Sequence, residues 1–211
     1  MPTASSRLSS THHAPPAMGM APTPHFCREN DPERLEVERF ISEVYARRYG
    51  AQVRHFAPVL AYLREGAEIV AAAGYREAHQ SPLFLERYLD APVEVLLGRG
   101  SGVVPGRASI VEVGHLAATR AGEGRRLILM LGAHLAEREF QWVVSTLTHE
   151  LRLLFLRIGV TPLTLGVANP NVLGAEAAQW GSYYQHSPLV LAGNLPQAMR
   201  RLATRQGGAA Q

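Results

Sequence analysis

Apolar residues recur at helical spacing early in the chain. Leu35, Phe40, Ile41, Val44 and Tyr45 form one face, with Asp31 as an N-cap, Pro32 at the first helical position and Gly50 as a stop. The spacing predicts a helix over about 31–50. Two runs, 59–64 and 68–75, flank Glu65-Gly66 and read as a β-hairpin. The second is made of small residues, so either face can pack closely against a helix. Ser81-Pro82 restarts a helix, LFLERYLD, ending before Pro92. Residues 93–97 read as a short strand and 98–106 as a glycine-rich loop. The run 110–117 is β-branched and apolar, and predicts the central strand. A turn with Gly122-Glu123-Gly124 follows, then an amphipathic helix over 125–138 carrying Leu127, Ile128, Leu131 and Leu135 on one side.

The rest alternates strand and helix. Residues 142–148 predict a strand, 150–158 a helix stopped by Gly159, and 163–168 a strand before an Asn-Pro-Asn turn at 169–171. An aromatic cluster, Trp180 to Tyr184, is expected in a loop. A short strand over 189–192 and a helix over 196–205 close the chain. The early hairpin implies antiparallel pairing, and the later alternation implies a parallel pair in a covered sheet. The class is a mixed α/β sandwich.

Composition narrows this little. A chain of 211 residues accommodates one domain with a real core. Residues 1–30 are rich in Pro, Ser, Thr, Ala and His without periodicity, and are expected to be a disordered arm. The domain is expected over 31–206, and 207–211 as a flexible tail. All 21 basic residues are Arg, spread among Glu, with a net charge of +3. No basic tract points to nucleic acid. One cysteine, Cys27, excludes an internal disulfide and a cysteine-based metal site, and fits a reducing, cytoplasmic compartment. No apolar run reaches transmembrane length, and no secretory signal is recognisable.

Strand, glycine turn and helix start together form a place where backbone N–H groups can face an anion. The element order resembles the Gcn5-related N-acetyltransferase fold, whose sheet is mixed and mostly antiparallel between helices. In that fold the loop after the central strand, Gln/Arg-x-x-Gly-x-Gly/Ala, cradles the pyrophosphate of coenzyme A. Gly122 and Gly124 match its Gly-x-Gly part, Thr119 stands at the leading position, and Arg120 falls one place late.

A second resemblance covers nearly the whole predicted domain. The blocks FISEVYARRYGA, AAAGYREA, LFLERYLDAPVE, IVEVGHLA and WGSYY together resemble the bacterial thermostable haemolysin family. IVEVGHLA is close to that family's usual Ile-Val-Glu-Val-Gly-Asn-Leu-Ala, with His115 in place of Asn. The resemblance implies an acetyltransferase-like fold, distantly similar to acyl-homoserine lactone synthases, which place a Glu at a similar point.

Candidate chemistry follows. Glu112 lies mid-strand between valines, where a carboxylate must pair, shift its pKa or face a cleft; it is the candidate general base, or else the partner of an Arg. His115 would sit on the opposite face of a regular strand, but a bulge at Gly114 would bring both to one face, making it an auxiliary base or a substrate contact. Gly122, Gly124 and the N–H groups of Arg125 and Arg126 could hold a phosphate, with Arg120 and Arg125 adding charge. Arg76, Glu86 and Tyr88 are candidate substrate contacts, though Glu86 could equally cap a helix. The tyrosine that serves as acid in ordinary Gcn5-related acetyltransferases falls on Phe155 here, so Tyr183 or Tyr184 would have to supply the phenol, with Tyr184 the candidate acid. Trp180 and Tyr183 would then form a substrate lid or an acyl-chain pocket.

The expected function is acyl transfer from a coenzyme A or acyl carrier protein thioester to a small-molecule amine. No tightly bound cofactor and no metal are implied. The alternatives are a membrane-active haemolysin, with the helices over 125–138 and 196–205 lying on anionic lipid, and a non-catalytic binding module on the same fold.

Overall fold

The computed structural model describes residues 23–208. Residues 1–22 and 209–211 lie outside this range, and with them most of the expected arm, including His12 and His13. The ordered chain starts before residue 31. Strand β1, His25–Arg28, pairs antiparallel with β2, Val59–Glu65. The arm reading overlooked it because four residues carry little periodicity. Cys27 is buried and Phe26 packs edge-on against Tyr75, so this segment belongs to the sheet.

Helix α1 spans Arg34–Tyr49 and ends on Gly50, whose φ of 66° suits a glycine cap. Strand β3, Glu68–Glu77, follows β2 across the hairpin. Central strand β4, Ile110–Ala118, pairs antiparallel with β3 and parallel with β5, Trp142–Leu147. Strands β6, Leu163–Val167, and β7, Leu189–Asn194, complete a seven-stranded sheet in the order β1-β2-β3-β4-β5-β7-β6. Only the β4–β5 contact is parallel, so the mixed, mostly antiparallel α/β sheet expected above is the one formed.

The small residues of β3 let helices approach both faces. On one side α1 buries Val37, Ile41 and Tyr45 over Leu60 and Ala72. On the other, α3, Glu123–Glu137, buries Leu127, Leu131 and Leu135 over Ala71, Ala73 and Val111. Their four-residue spacing makes this the face predicted for that helix. The final helix α5, Leu195–Gly208, packs beside α3.

Three local expectations are corrected. Residues 93–97 are not a strand but the start of helix α2, Val93–Ser101, which also takes up the first part of the expected 98–106 loop. Buried Val93, Leu96 and Leu97 have helical spacing, Val95 between them is exposed, and Gly102 ends the helix at a φ of 71°. The segment LFLERYLD forms only a short 3₁₀ turn, Phe84–Tyr88, because the chain is extended again at Leu89. The aromatic cluster is not irregular loop either. It lies on 3₁₀ segments Pro170–Trp180 and Tyr183–His186, tied to the end of α1 where Ser182 N–H donates to Tyr49 O at 2.8 Å and Gln52 N–H to Gln179 O.

Candidate functional site

The site forms where β4 changes course. Ala72 pairs with Ala117 and Gly74 with Gly114, so β4 carries one more residue than β3 between those pairs. That is a β-bulge, and His115 occupies it with a φ of 54°. His and Asn are among the few non-glycine residues that tolerate this region, which accounts for either at this position. The bulge turns the imidazole onto the face that carries Glu112. A methyl group added at Gly74 would lie 3.2 Å from His115 Nδ1 and 2.8 Å from Ala57 Cβ, so glycine makes room for the ring.

β4 also parts from β5. Pairing stops at Glu112 and Val144, whereas β5 continues to pair with β7 through Leu147. The two central strands splay, and a cleft of about 210 Å³ opens between them. One end is polar, with Arg76, Glu112, His115, Tyr88 and Tyr184. The other is apolar, lined from α3, α5 and α4, His149–Arg157, by side chains such as Leu131, Leu151, Phe155 and Met199.

Glu112 does not pair with a helix arginine. Its Oε2 accepts the N–H of Phe84 at 2.8 Å and its Oε1 that of Leu85 at 3.0 Å, so it holds the 3₁₀ turn against the strand. Burial raises its pKa, partly offset by these two N–H groups and by the Arg76 charge. Burial pushes His115 down to about 4, so its ring is neutral near pH 7, and its buried Nδ1 has no hydrogen-bond partner.

Tyr184 reaches the cleft and its hydroxyl lies 2.7 Å from that of Tyr88. Burial raises both phenols, so both are protonated near neutrality. Tyr183 is buried, with its hydroxyl on Thr146 O at 3.2 Å, and it too borders the cleft. Trp180 packs edge-on against Tyr45 and tilted against Phe84 and Tyr183, and walls the cleft.

Glu86 is not in this cleft. Its carboxylate is bidentate on Arg107, at 2.8 and 3.0 Å, and accepts the N–H groups of Leu83 and Val93. Burial works against its charge, but the Arg107 guanidinium and those N–H groups hold its pKa below the usual value. Its role is to join the 3₁₀ turn to α2. Arg107, absent from the sequence reading, completes this network and also binds Glu94 at 2.7 Å. No local signal announced it, since its partners lie 13 and 21 residues away.

The glycine turn lies at the other end of β4. Gly122 has a φ of 92° and caps α3, and Arg126 N–H makes the first intrahelical bond, to Gly122 O. The N–H groups of Gly124 and Arg125 therefore have no acceptor within the helix. Arg120 is engaged with Glu65 at 2.6 Å and with Glu68, and Arg126 with Glu123 and Glu65. Among the described residues Arg125 has no ion-pair partner and is exposed, so it is the free charge at this turn.

Three solved structures share this architecture. An acyl-homoserine lactone synthase described with SAM and isopentyl-CoA, BjaI, matches with a TM-score of 0.60 at 12% identity, over 89% of this chain and 90% of that one. FeeM, an N-acyl amino acid synthase from uncultured soil microbes, matches with a TM-score of 0.58 at 16% identity, over 88% and 98%. The synthase LasI matches with a TM-score of 0.57 at 14% identity, over 84% and 91%. At these identities the likeness is one of fold. No curated protein matches in sequence. The family model described as thermostable hemolysin matches residues 27–199, most of the chain, and the protein belongs to the thermostable haemolysin family.

Proposed function

We propose that the protein is an acyltransferase that moves an acyl group from a coenzyme A or acyl carrier protein thioester to an amine. The observation that carries this reading is the splay of β4 from β5 beyond Glu112 and Val144, which joins a polar chamber to an apolar bay. A thioester lying through the gap would set its carbonyl beside β4 and its acyl chain among Leu131, Leu151 and Phe155. The fold shared with acyl-transferring synthases supports it.

The chemistry follows from the residues in the chamber. The amine nitrogen attacks the thioester carbonyl carbon, a C–N bond forms, and the C–S bond breaks. Backbone N–H groups of β4 past the last β5 pair stabilise the oxyanion. Glu112 takes the amine proton, directly or through water; its raised pKa suits a base that must pass the proton on. Tyr184 protonates the leaving thiolate. The Tyr88 and Tyr184 hydroxyls share one hydrogen bond at 2.7 Å; with Tyr88 as its donor, the Tyr184 O–H is free to be given up. His115, neutral in its bulge, orients the acceptor rather than acting as a base. The donor's phosphates are assigned to Gly122, Gly124 and Arg125.

The membrane-active alternative has less support. The apolar side of α3 is buried against the sheet, and among the described residues no helix is long and apolar enough to cross a membrane.

The test is to incubate the full chain with acyl-coenzyme A of graded chain length, or acyl carrier protein, and a pool of amines. Release of free thiol together with an acylated amine is expected. The absence of both donor binding by calorimetry and thiol release, with every donor tried, would sink the reading, and liposome leakage unaffected by Glu112→Gln would replace it.

A further inference from the structure

The polar chamber holds one positive and one negative group at facing positions. Arg76 of β3 and Glu112 of β4 are register partners, so their Cβ atoms stand about 5 Å apart on one face of the sheet. They interact at a distance but form no direct ion pair: among the described residues Arg76 forms no salt bridge, and the Glu112 oxygens are held by Phe84 and Leu85. Arg76 makes one hydrogen bond, to Pro82 O at 3.2 Å, and its Nε is buried without an acceptor. A guanidinium carries five donors, and one buried without a partner costs free energy until a ligand supplies an acceptor. The rings of Phe84, Tyr88, Trp180 and Tyr184 wall the same space.

We propose that the acceptor is an α-amino acid, bound with its carboxylate on Arg76 and its amino group toward Glu112. This rests on the acyl-transfer reading and names its acceptor class. The spacing is the argument: the two charged groups of an α-amino acid are separated by a single carbon, and the cross-strand pair offers complementary charges at short range. The aromatic walls favour an apolar or aromatic side chain. The product is an N-acyl amino acid; the bound ammonium loses two protons, one to Glu112 before attack and one as the C–N bond forms, while the thiol leaves with one proton and the other passes to solvent.

Calorimetric titration of the full chain with phenylalanine, 2-phenylethylamine and phenylalaninamide, with and without coenzyme A, tests this. The amino acid should bind at least about tenfold tighter than the other two, as expected for a charge-assisted pair. Arg76→Met should abolish that preference, and Arg76→Lys should retain part of it. Equal binding of the three compounds to the unmodified chain, or no binding of any at millimolar concentration, overturns the proposal without recourse to a variant. Acyl transfer to the same three compounds, measured with acyl-coenzyme A as donor, separates the two ideas. A carboxylate preference without product leaves this site standing and removes the acyltransferase reading. Transfer to all three alike does the reverse.

Discussion

The hydroxyls of Tyr88 and Tyr184 meet at 2.7 Å across the mouth of the cleft, although 96 residues separate them. The pair lets one phenol orient the other. Tyr184→Phe should lower kcat by about 100-fold, the scale of losing a general acid. Tyr88→Phe should cost less, about tenfold, because it removes only the orienting partner. A thioester with a more acidic leaving thiol should recover most of the Tyr184→Phe loss, and rates with two such donors check this.

Glu112 is asked to work as a base while holding the 3₁₀ turn. Glu112→Gln keeps one acceptor oxygen but sets an NH₂ group against the other backbone N–H. It should lower the rate by about 100-fold and destabilise the fold by about 1–3 kcal/mol. Activity needs the carboxylate, and burial raises its pKa. The acid limb of kcat/KM should therefore lie above the ordinary glutamate value, with activity falling as pH drops through it. A pH–rate profile that stays flat through this range would exclude Glu112 as the base.

His115 makes stability depend on pH. Its folded pKa is about 4, against an ordinary value of 6.5, so between these the unfolded chain binds more protons than the native one. Stability should fall as pH drops from 6.5 to 4 and then level off with respect to this group, by on the order of 3 kcal/mol for the whole shift. His115→Asn should flatten that limb while tolerating the φ of 54°. His115→Val should be destabilised at every pH, by about 1–3 kcal/mol, because a β-branched residue is strained there. Urea melts of the three proteins across pH 4 to 8 give the comparison.

The arginines of the glycine turn should not be equivalent. Arg125 is free among the described residues, whereas Arg120 is engaged by Glu65 and Glu68. Arg125→Ala should weaken coenzyme A binding several-fold, with a smaller dependence on salt. Arg120→Ala should change affinity less. Gly122→Ala should impair binding and stability together, since its φ of 92° strains any side chain. Calorimetry at two ionic strengths distinguishes them.

Much of the fold was legible along the chain. Helices α1 and α3 follow from their helical period, and strands β2 to β7 from apolar runs set between turns, β3 being buried on both faces. Errors fell on short segments. β1 has four residues, and the five apolar residues at 93–97 fit a strand by composition and a helix by spacing. The block IVEVGHLA likewise marked Glu112 and His115 before any contact was known.

What the chain alone determined is most of the strands, the small-residue strand among them, and the glycine turn before a helix, because these depend on neighbours in sequence. Tertiary structure decided what each candidate does. It committed Glu86 to Arg107, engaged Arg120 with the hairpin, buried Tyr183, and left Arg125 and Arg76 without ion-pair partners among the described residues. A charged side chain is spent or available according to groups tens of residues away. Only packing brings those groups together, and so only packing decides which charges remain for a ligand.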